Sequence, residues 1–422
     1  MPLLCLGLSH HTTPVAVRER LACTPAVLQA ALARCGPGRA LTSRFEELAI
    51  LSTCNRLEVY AVTQTADFAG LSAFLAETTG APRALFEPHL YRHQDEAASR
   101  HLFRVAAGLD SLVLGEPQIL GQVADAYEMA RGQGAAGPLL SGLFQAALRA
   151  GKRVRAETAI GRDPATISSV AVKLAEQTIG DLRAAHIAVL GAGEMAELAV
   201  GALRQRGAGQ LTVVNRTLAR AAELAARWGA RPRPMEQLAE ALTEADVLIA
   251  STAAPQVLVT PSLLAALPPR AERPLVVIDI AVPRNVDPAV ARLPGLHYFD
   301  IDALHGRLNG ALAKRAQAAR RAETIVAEEA AAFEVWRRGQ AITPLLAELR
   351  AKAEHIRRAE VAKTLRRWPD LDEAERCRIE HLSEALVNKL LHAPTLRLRA
   401  EAAHGQAAEY AAVVRQLFAL QE

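Results

Sequence analysis

Residues 187–196 of this 422-residue chain read IAVLGAGEMA and decide the fold of its middle part. Four apolar residues precede a G-x-G-x-x-A pattern, and this order predicts a buried strand, a tight turn and the start of a helix. Gly191 permits the turn, Gly193 lets the backbone approach a pyrophosphate, and Ala196 allows the helix to pack closely on the strand. We therefore predict a dinucleotide-binding loop, where helical N–H groups meet the phosphates. Its residues are Gly191, Ala192, Gly193, Glu194, Met195 and Ala196.

Three further apolar runs follow, at residues 211–214, 247–250 and 276–280. Each run is continuous rather than alternating, and helical segments separate the runs, which predicts a parallel sheet covered on both faces. Together with a predicted helix at 168–179, these runs define a Rossmann-like domain that we place at residues 161–302.

The predicted strand at 211–214 leads into Asn215, Arg216 and Thr217. An acidic residue here would accept hydrogen bonds from the ribose 2′-hydroxyl of NAD, whereas Arg216 can pair with the 2′-phosphate of NADP. These three residues therefore predict NADPH as the cofactor. The alternative is an ordinary tight turn that carries an exposed arginine.

The first part of the chain predicts a separate α/β domain, which we place at residues 1–160. Short apolar runs at 3–8, 48–51 and 57–62 predict strands, and they alternate with helical segments. Residues 102–131 predict two helices separated by a loop at 115–117, because the proline in that loop would break a helix interior.

Cys54 lies within the sequence Ser-Thr-Cys-Asn-Arg of residues 52–56, where the second predicted strand gives way to polar residues. A thiol at such a strand end would be exposed, and the neighbouring Arg56 would stabilise its thiolate, which are two properties of a nucleophilic cysteine. The alternative is a small apolar core residue, as most cysteines are. No pair of cysteines has the spacing of a zinc site, and we predict no metal.

From Ala303 onward the sequence contains no strand signal and is rich in alanine, arginine and glutamate. It predicts a long helix at 303–338 and further helices at 345–368, 373–391 and 401–418. An apolar stripe on the second helix fits a symmetric partner chain, although packing within one chain explains it as well. We therefore treat residues 303–422 as an all-helical domain.

Composition narrows the class of protein. Half of the residues are hydrophobic and 22% are charged, which is typical of a globular chain. The cysteines are scattered and no apolar run approaches the ~20 residues of a membrane helix, so we expect a soluble, cytoplasmic protein without a membrane partner. The formal charge of +4 is mild, and two basic clusters are either solvated helix faces or contacts to a polyanion. The clusters comprise Arg149, Lys152, Arg153 and Arg155, and Arg350, Lys352, Arg357, Arg358, Lys363, Arg366 and Arg367.

Five motifs, spread over nearly the whole chain, together resemble the glutamyl-tRNA reductase family. They are STCNRxE at 52–58, GLDSLVLGEPQILGQ at 108–122, the glycine loop with Asn215-Arg216-Thr217, DIAVPR at 279–284, and HAPT at 392–395. The first two motifs are long enough to be highly specific.

The resemblance implies a catalytic α/β domain, an NADPH domain, and a helical dimerisation domain joined by a long spinal helix. It implies NADPH-dependent reduction of glutamyl-tRNA to glutamate-1-semialdehyde, which begins the five-carbon route to tetrapyrroles such as haem. Cys54 matches the family nucleophile, which forms a thioester, and His101 matches a histidine important for activity. The matching substrate-binding positions are Thr53, Cys54, Asn55, Arg56, Ser111, Glu116, Pro117, Gln118 and Gln122. A homodimer and an association with the aminomutase that consumes the aldehyde are also implied.

For this reaction we expect Arg56 to pair with the γ-carboxylate of the substrate, which would reject glutamine. We expect His101 to accept the thiol proton, to protonate the departing ribose oxygen, or to position the substrate. The loop Ser9-His10-His11 departs from the Asn-His-basic sequence usual in the family, so its contribution to the substrate pocket stays open.

Two rival functions also stay open on the sequence. One is an NADPH dehydrogenase of a free small acid, similar to shikimate dehydrogenase, which shares the Asn-Arg-Thr style of cofactor loop. The other is a tRNA-binding relative that has lost catalysis. Cys54 argues against both, because neither needs a thiol at the end of that strand.

Overall fold

The computed structural model describes residues 1–36, 38–41, 44–161, 167–268, 274–305, 312–369 and 371–420. The chain forms two compact units, Pro2–Ala327 and Glu328–Glu422 with Met1. All the predicted site residues belong to the unit Pro2–Ala327.

A four-stranded antiparallel sheet lies at the centre of the N-terminal part of this unit. Its strands are β1 (Leu3–Ser9), β2 (Glu47–Ser52), β3 (Arg56–Val62) and β4 (Tyr91–Gln94), in the order β2-β3-β1-β4. The first three strands confirm the predicted runs. β4 escapes prediction because its polar residues, alternately half-buried and exposed, carry no apolar pattern.

Helices pack around this sheet and connect its strands. They are α1 (Val15–Arg18), α2 (Pro25–Leu32), α3 (Phe68–Thr79), α4 (Arg83–Phe86), α5 (Glu96–Ala106), α6 (Gln118–Gly132) and α7 (Pro138–Glu157). The predicted pair of helices around the loop at 115–117 is confirmed by α5 and α6. Gly115 has φ 79°, and a side chain there would collide with the carbonyl oxygen of Ile160, so this position requires glycine.

The rest of the unit contains a six-stranded parallel sheet. Its strands are β5 (His186–Leu190), β6 (Gln210–Asn215), β7 (Arg231–Pro234), β8 (Val247–Ala250), β9 (Leu275–Asp279) and β10 (Leu296–Asp300). The strand order across the sheet is β10-β9-β8-β5-β6-β7. The chain enters at the central strand β5, adds β6 and β7 on one side, and then adds β8, β9 and β10 on the other side, which is the Rossmann arrangement. The predicted parallel sheet is confirmed.

Helices cover both faces of the parallel sheet. They are α8 (Ile167–Ile179), α9 (Glu194–Gln205), α10 (Leu218–Trp228), α11 (Leu238–Glu244), α12 (Pro261–Ala265) and α13 (Ile301–His305). Along β5, Ile187 and Val189 belong to one apolar core and Ala188 and Leu190 to the other. The edge strands β7 and β10 escape prediction, because β7 reads Arg-Pro-Arg-Pro and β10 mixes polar with aromatic residues.

The C-terminal part contains helices and no strand among its described residues, as predicted. Its helices are α14 (Leu312–Gln340), α15 (Thr343–Arg367), α16 (Glu373–Glu401) and α17 (Ala407–Phe418). The predicted long helix starts at 303, but α13 ends at His305, residues 306–311 lie outside the described ranges, and α14 begins at Leu312. No helix among the described residues is both long and apolar enough to cross a bilayer.

One predicted helix end, at 391, is wrong. α16 continues through Pro394 to Glu401. Leu391 and Leu398 are buried on this continuation and belong to one apolar core with Leu345 of α15. Burial of these side chains offsets the hydrogen bond that the proline removes, so the proline does not end the helix.

Candidate active site

Cys54 lies in the short turn between β2 and β3. Thr53 shapes this turn, because its N–H donates to the Arg56 carbonyl oxygen at 2.9 Å and its hydroxyl accepts from the N–H groups of Asn55 and Arg56, both at 3.1 Å. Cys54 itself is partly exposed. The turn therefore presents a thiol at a strand end, as the sequence predicts.

Arg18 holds the Cys54 turn from the end of α1. Its Nη1 donates to the Cys54 carbonyl oxygen and to Asn55 Oδ1, both at 3.0 Å, and its Nη2 pairs with Asp302 Oδ1 at 2.5 Å. Arg18 is only 4% exposed. The sequence does not point to Arg18, because its sole local signal is a charged residue directly after a short apolar run.

The surroundings of Cys54 keep its thiol protonated. Burial raises the pKa of the thiol to about 12, and the carboxylate of Glu116 acts in the same direction. Arg18 lowers this pKa more than Arg56 does, but the two together do not offset the loss of hydration. The prediction that Arg56 stabilises the thiolate is therefore met only in part, and nucleophilic attack requires a base.

Two acidic residues enclose Arg56. Its Nη1 pairs with Glu58 Oε1 at 2.5 Å, and its Nη2 lies 3.0 Å from Asp110 Oδ2 and 2.5 Å from the Asp110 carbonyl oxygen. Arg56 is 2% exposed, whereas the side chain of Asp110 is 19% exposed. A ligand carboxylate that pairs with Arg56 would therefore have to displace Asp110, the more accessible of the two partners.

The fully buried Glu58 carboxylate accepts hydrogen bonds from three further side chains. They are Tyr60 Oη at 2.6 Å, Tyr91 Oη at 2.5 Å and His101 Nε2 at 2.9 Å. Burial opposes ionisation, but the charges of Arg56 and His101 and the hydrogen bonds hold the pKa of Glu58 well below its usual range. An ionised Glu58 thus joins Arg56 and His101 in one network.

An open pocket of about 400 Å³ lies beside His101. The His101 ring stacks on His93, with centroids 4.7 Å apart, and approaches Tyr91 at 5.1 Å. His11, from the loop that departs from the family pattern, also lines the pocket, and its Nε2 lies 3.9 Å from Asp110 Oδ1. The network around Glu58 therefore opens to solvent at His101.

Three potential metal ligands meet in this network. Cys5, Glu58 and His101 have ligand atoms within 4.8 Å of one another. Burial raises the pKa of the Cys5 thiol well above its usual range. Because Arg56 already neutralises Glu58, a cation at this point would face a guanidinium. We assign Glu58 and His101 to the hydrogen-bond network, which Cys5 joins through the side chain of Tyr60.

The loop between α5 and α6 carries Ser111 and Glu116. Ser111 Oγ is buried and has no hydrogen-bond partner within the described ranges. Burial, reinforced by the negative charge of Glu194, raises the pKa of Glu116 to about 7. Arg155 donates to the Glu116 carbonyl oxygen at 2.8 Å and so anchors the loop. An unsatisfied hydroxyl and a carboxyl that titrates near neutrality are typical of a ligand-binding site.

Pro117, Gln118 and Gln122 line a cleft of about 270 Å³ that Glu194 also lines. Gln118 Nε2 lies 3.2 Å from the sulfur of Met195. The predicted substrate-binding residues at the start of α6 therefore lie beside the predicted cofactor-binding residues at the start of α9.

The glycine loop between β5 and α9 has the geometry that the motif predicts. Gly191 has φ 120°, and a side chain there would meet the Ser251 carbonyl oxygen at 2.9 Å. A Cβ on Gly193 would meet nothing within 4 Å, so the backbone at the start of α9 borders open space. Ala192, Met195 and Ala196 pack into the apolar core of that face. These residues fit the pyrophosphate of a dinucleotide.

Asn215, Arg216 and Thr217 lie at the carboxyl end of β6. Asn215 Nδ2 donates to the Thr217 carbonyl oxygen at 3.0 Å, which fixes the turn. Arg216 is exposed and makes no ion pair with another described residue. Its guanidinium is therefore accessible to a ligand phosphate.

Several members of the two basic clusters are engaged within the chain. Arg153 pairs with Glu157 at 2.8 Å, and Arg357 and Arg358 pair with Glu354 at 2.6 and 2.7 Å. Arg155 contacts the Glu116 loop. These four arginines are therefore engaged within the chain, which favours a structural role for them over contacts to a polyanion.

Three family models match successive parts of the chain. The glutamyl-tRNAGlu reductase N-terminal domain matches residues 6–158, shikimate / quinate 5-dehydrogenase matches 173–306, and the glutamyl-tRNAGlu reductase dimerisation domain matches 321–420. A glutamyl-tRNA reductase of Chloroflexus aurantiacus is 44% identical, with 100% of both chains covered. The chain belongs to the glutamyl-tRNA reductase family.

Other family members are similar over the same length. The glutamyl-tRNA reductase of Myxococcus xanthus is 44% identical, with 100% of this chain and 95% of that protein covered. The solved structure of glutamyl-tRNA reductase from Methanopyrus kandleri is 29% identical, with 95% of this chain and 98% of that chain covered and a TM-score of 0.48. Membership of the glutamyl-tRNA reductase family confirms the resemblance predicted from the five motifs.

Proposed function

We propose that this chain uses NADPH to reduce the glutamyl group of glutamyl-tRNA, releasing tRNA and glutamate-1-semialdehyde. This reaction is the first step of the five-carbon route to 5-aminolevulinate and tetrapyrroles. The observation that carries the proposal is the partly exposed thiol of Cys54 at a strand end, in a chain of this family whose nucleotide loop is intact.

The proposed chemistry begins with the thiolate of Cys54. It attacks the ester carbonyl carbon, forms a C–S bond and expels the terminal ribose oxygen of the tRNA, which takes up a proton. The resulting thioester accepts hydride more readily than an oxygen ester, because sulfur donates weakly into the carbonyl. When bound, NADPH supplies this hydride. The C–S bond then breaks, the aldehyde leaves, and the Cys54 thiolate is regenerated.

Cys54 must first lose its proton, and two side chains are candidate bases. His101 is tied to the ionised Glu58 and faces the open pocket, so it can accept or return a proton there. Glu116 has a pKa of about 7, and its charge acts directly on the thiol. We propose that His101 gives a proton to the ribose oxygen, and that either His101 or Glu116 accepts the proton of the thiol.

The substrate-binding roles remain proposals for each residue. Arg56 would pair with the γ-carboxylate after Asp110 moves aside, and the unsatisfied hydroxyl of Ser111 would bond to a polar group of the substrate. Thr53 and Asn55 act first on the turn itself, through their hydrogen bonds to its backbone and to Arg18. Glu116, Pro117, Gln118 and Gln122 would border the substrate in the loop and cleft that lead to α9.

NADPH would bind along the carboxyl edge of the parallel sheet. The loop Gly191 to Ala196 fits the pyrophosphate, and the exposed Arg216 after β6 fits the 2′-phosphate, with Asn215 and Thr217 shaping its turn. The adjacency of Met195 to Gln118 supports a cofactor that reaches toward the substrate-binding loop.

We also propose the division into a catalytic domain at 1–160, an NADPH domain at 161–302, and a spinal helix with a dimerisation domain at 303–422. The large apolar side chains exposed in the helical unit, such as Leu382, Leu390 and Leu417 at 63%, 73% and 74%, support a homodimer. A cytoplasmic location, and transfer of the reactive aldehyde to an aminomutase in a complex, belong to the same proposal.

The decisive experiment mixes the full-length protein with glutamyl-tRNA labelled in the glutamate, without NADPH. We expect label to remain on Cys54 after the tRNA is removed, to be lost in Cys54→Ser, and to be converted to the semialdehyde when NADPH is added. Cys377→Ser is the matched control, because Cys377 is an exposed thiol in the helical unit. Equal labelling of native protein and Cys54→Ser would contradict the thioester.

A further inference from the structure

Two ion pairs connect the segment after β1 to the nucleotide-binding part of the same unit. Arg18 Nη2 pairs with Asp302 Oδ1 at 2.5 Å, and Arg284 Nη2 pairs with Glu19 Oε1 at 2.6 Å. Asp302 lies in α13, directly after β10, and Arg284 lies in the loop after β9. Both contacts are therefore made at the carboxyl ends of parallel strands, where this fold binds its ligands.

Of these two pairs, the one through Arg18 continues to the Cys54 turn. The same guanidinium that engages Asp302 donates through Nη1 to the Cys54 carbonyl oxygen and to Asn55 Oδ1. Asp302 is itself held in place, because its Oδ2 accepts a hydrogen bond from the Val15 N–H at 2.8 Å. A continuous set of hydrogen bonds thus runs from the nucleotide-binding part to the loop that carries the thiol.

The chemistry of this contact suits arginine and no other side chain. Three acceptors on two distant segments are reached by one planar group, whereas a lysine ammonium is a compact charge without that fork. Arg18 is 4% exposed, so solvent and salt screen its charge weakly. By contrast, Arg56 is already committed to Glu58 and Asp110.

We propose that Arg18 is a positioning residue, anchored by Asp302, that aligns the Cys54 turn with the nucleotide domain and stabilises the thiolate when it forms. This inference rests on the proposed function, since it assigns Cys54 as the nucleophile. The electrostatics agree with the geometry, because Arg18 lowers the pKa of the Cys54 thiol more than Arg56 does.

The first test measures thiol reactivity and uses neither tRNA nor NADPH. Full-length protein is treated with iodoacetamide from roughly pH 7 to 10, and peptide mass spectrometry gives the ratio of Cys54 to Cys377 alkylation. In Arg18→Ala we expect this ratio to fall roughly tenfold, which corresponds to one unit in the pKa of the thiol.

Arg18→Lys keeps the charge and should restore most of the ratio. Glu19→Gln removes the neighbouring ion pair without touching the turn and should leave the ratio native.

The second test measures alignment through the fate of the thioester. With glutamyl-tRNA and NADPH, Asp302→Asn and Arg18→Lys should release a several-fold larger fraction of free glutamate, because a misplaced thioester is hydrolysed instead of reduced. Glu19→Gln should keep the native partition. If Arg18→Ala does not fold, judged by circular dichroism and NADPH binding, the comparison of Arg18→Lys with Glu19→Gln decides the outcome.

Two results would overturn the inference. One is a native alkylation profile and a native partition in every folded Arg18 variant. The other is a change in the alkylation ratio or in the fraction of free glutamate that is as large in Glu19→Gln as in the Arg18 variants. That result would mean that the two ion pairs act only as general contacts within the unit. Failure of the proposed function has a different signature, since the alkylation ratio would still depend on Arg18 while no glutamate is trapped on Cys54.

Discussion

The glycine loop at 191–196 and the cysteine turn at 53–56 both follow a strand, but they are built differently. In the glycine loop the ligand would meet backbone N–H groups, and the requirements are small residues placed next to one another in sequence. In the cysteine turn the chemistry depends on charged side chains, namely Arg18 and Glu116 from distant segments and Glu58 from the adjoining strand β3. A site made of backbone tolerates changes of charge, whereas a site made of buried charges is sensitive to each of them.

The sharpest test of this contrast is Glu58→Gln. The substitution removes the fully buried carboxylate that pairs with Arg56 and leaves the guanidinium charge only partly compensated. We therefore expect a loss of about 3 kcal/mol or more in the stability of the β1–β3 region. Hydrogen exchange of peptides from these strands is the measurement, because the N-terminal part contains no tryptophan. Glu360→Gln, at an exposed pair with Lys363, is the control and should leave exchange unchanged in its own helix. If hydrogen exchange increased by a similar amount in both variants, a buried charge would be no more sensitive to substitution than an exposed one, and the contrast would be contradicted.

The glycine loop at 191–196 should lose affinity for NADPH when a substitution changes its shape, because its contacts to the ligand come from the backbone. Gly191→Ala places a side chain at φ 120° against the Ser251 carbonyl oxygen, so we expect NADPH binding to weaken about tenfold to a hundredfold as the loop shifts. Gly193→Ala should fold normally yet lose affinity, because its methyl group enters the space reserved for the pyrophosphate. Fluorescence titration with NADPH measures both. Native affinity in Gly193→Ala would place the phosphates elsewhere.

Arg216→Ala probes the positively charged side chain assigned to the 2′-phosphate of the cofactor. We expect NADPH affinity to fall about tenfold, since a charge-assisted hydrogen bond contributes about 1.5–3 kcal/mol, while NADH affinity stays constant. Arg220→Ala, an exposed arginine on α10, is the matched control. Equal losses for the two cofactors in Arg216→Ala would remove the case for 2′-phosphate recognition.

The smallest expected effect concerns pH. The pKa of Glu116 is about 7, and its ionised form raises the pKa of the Cys54 thiol. Glu116→Gln should therefore speed alkylation of Cys54 above neutrality, by a few-fold, and have no effect well below it, where native Glu116 is already neutral. Rates measured across pH give the comparison. A constant ratio of variant to native rate at every pH would show that Glu116 does not act through its charge.

The parts of the fold that follow from local pattern could be predicted from the sequence. The continuous runs at 187–190 and 247–250 predicted buried parallel strands, because both faces of β5 and β8 are covered by helices. The edge strands β4, β7 and β10 could not be predicted, because an edge needs no apolar pattern. Pro394 was misleading, since burial of Leu398 beyond it keeps α16 continuous.

The residues of the candidate site also differ in whether a local pattern indicates them. Cys54 and the glycine loop could be found because each lies in a contiguous motif with a chemical meaning. Asp110 could not be found as a partner of Arg56, because tertiary packing brings it there from a distant part of the sequence. Arg18 was missed for the same reason: its acceptors lie on the β2–β3 turn and on α13, and nothing in the sequence near residue 18 indicates them.

The bond between Glu58 and His101 also determines which ring nitrogen carries hydrogen. An ionised carboxylate can only accept, so the imidazole must hold a hydrogen on Nε2 at 2.9 Å from Oε1, and whenever the ring is neutral the lone pair is on Nδ1. The tautomer of His101 is therefore set before any ligand arrives, and nitrogen chemical shifts of the imidazole would record it directly.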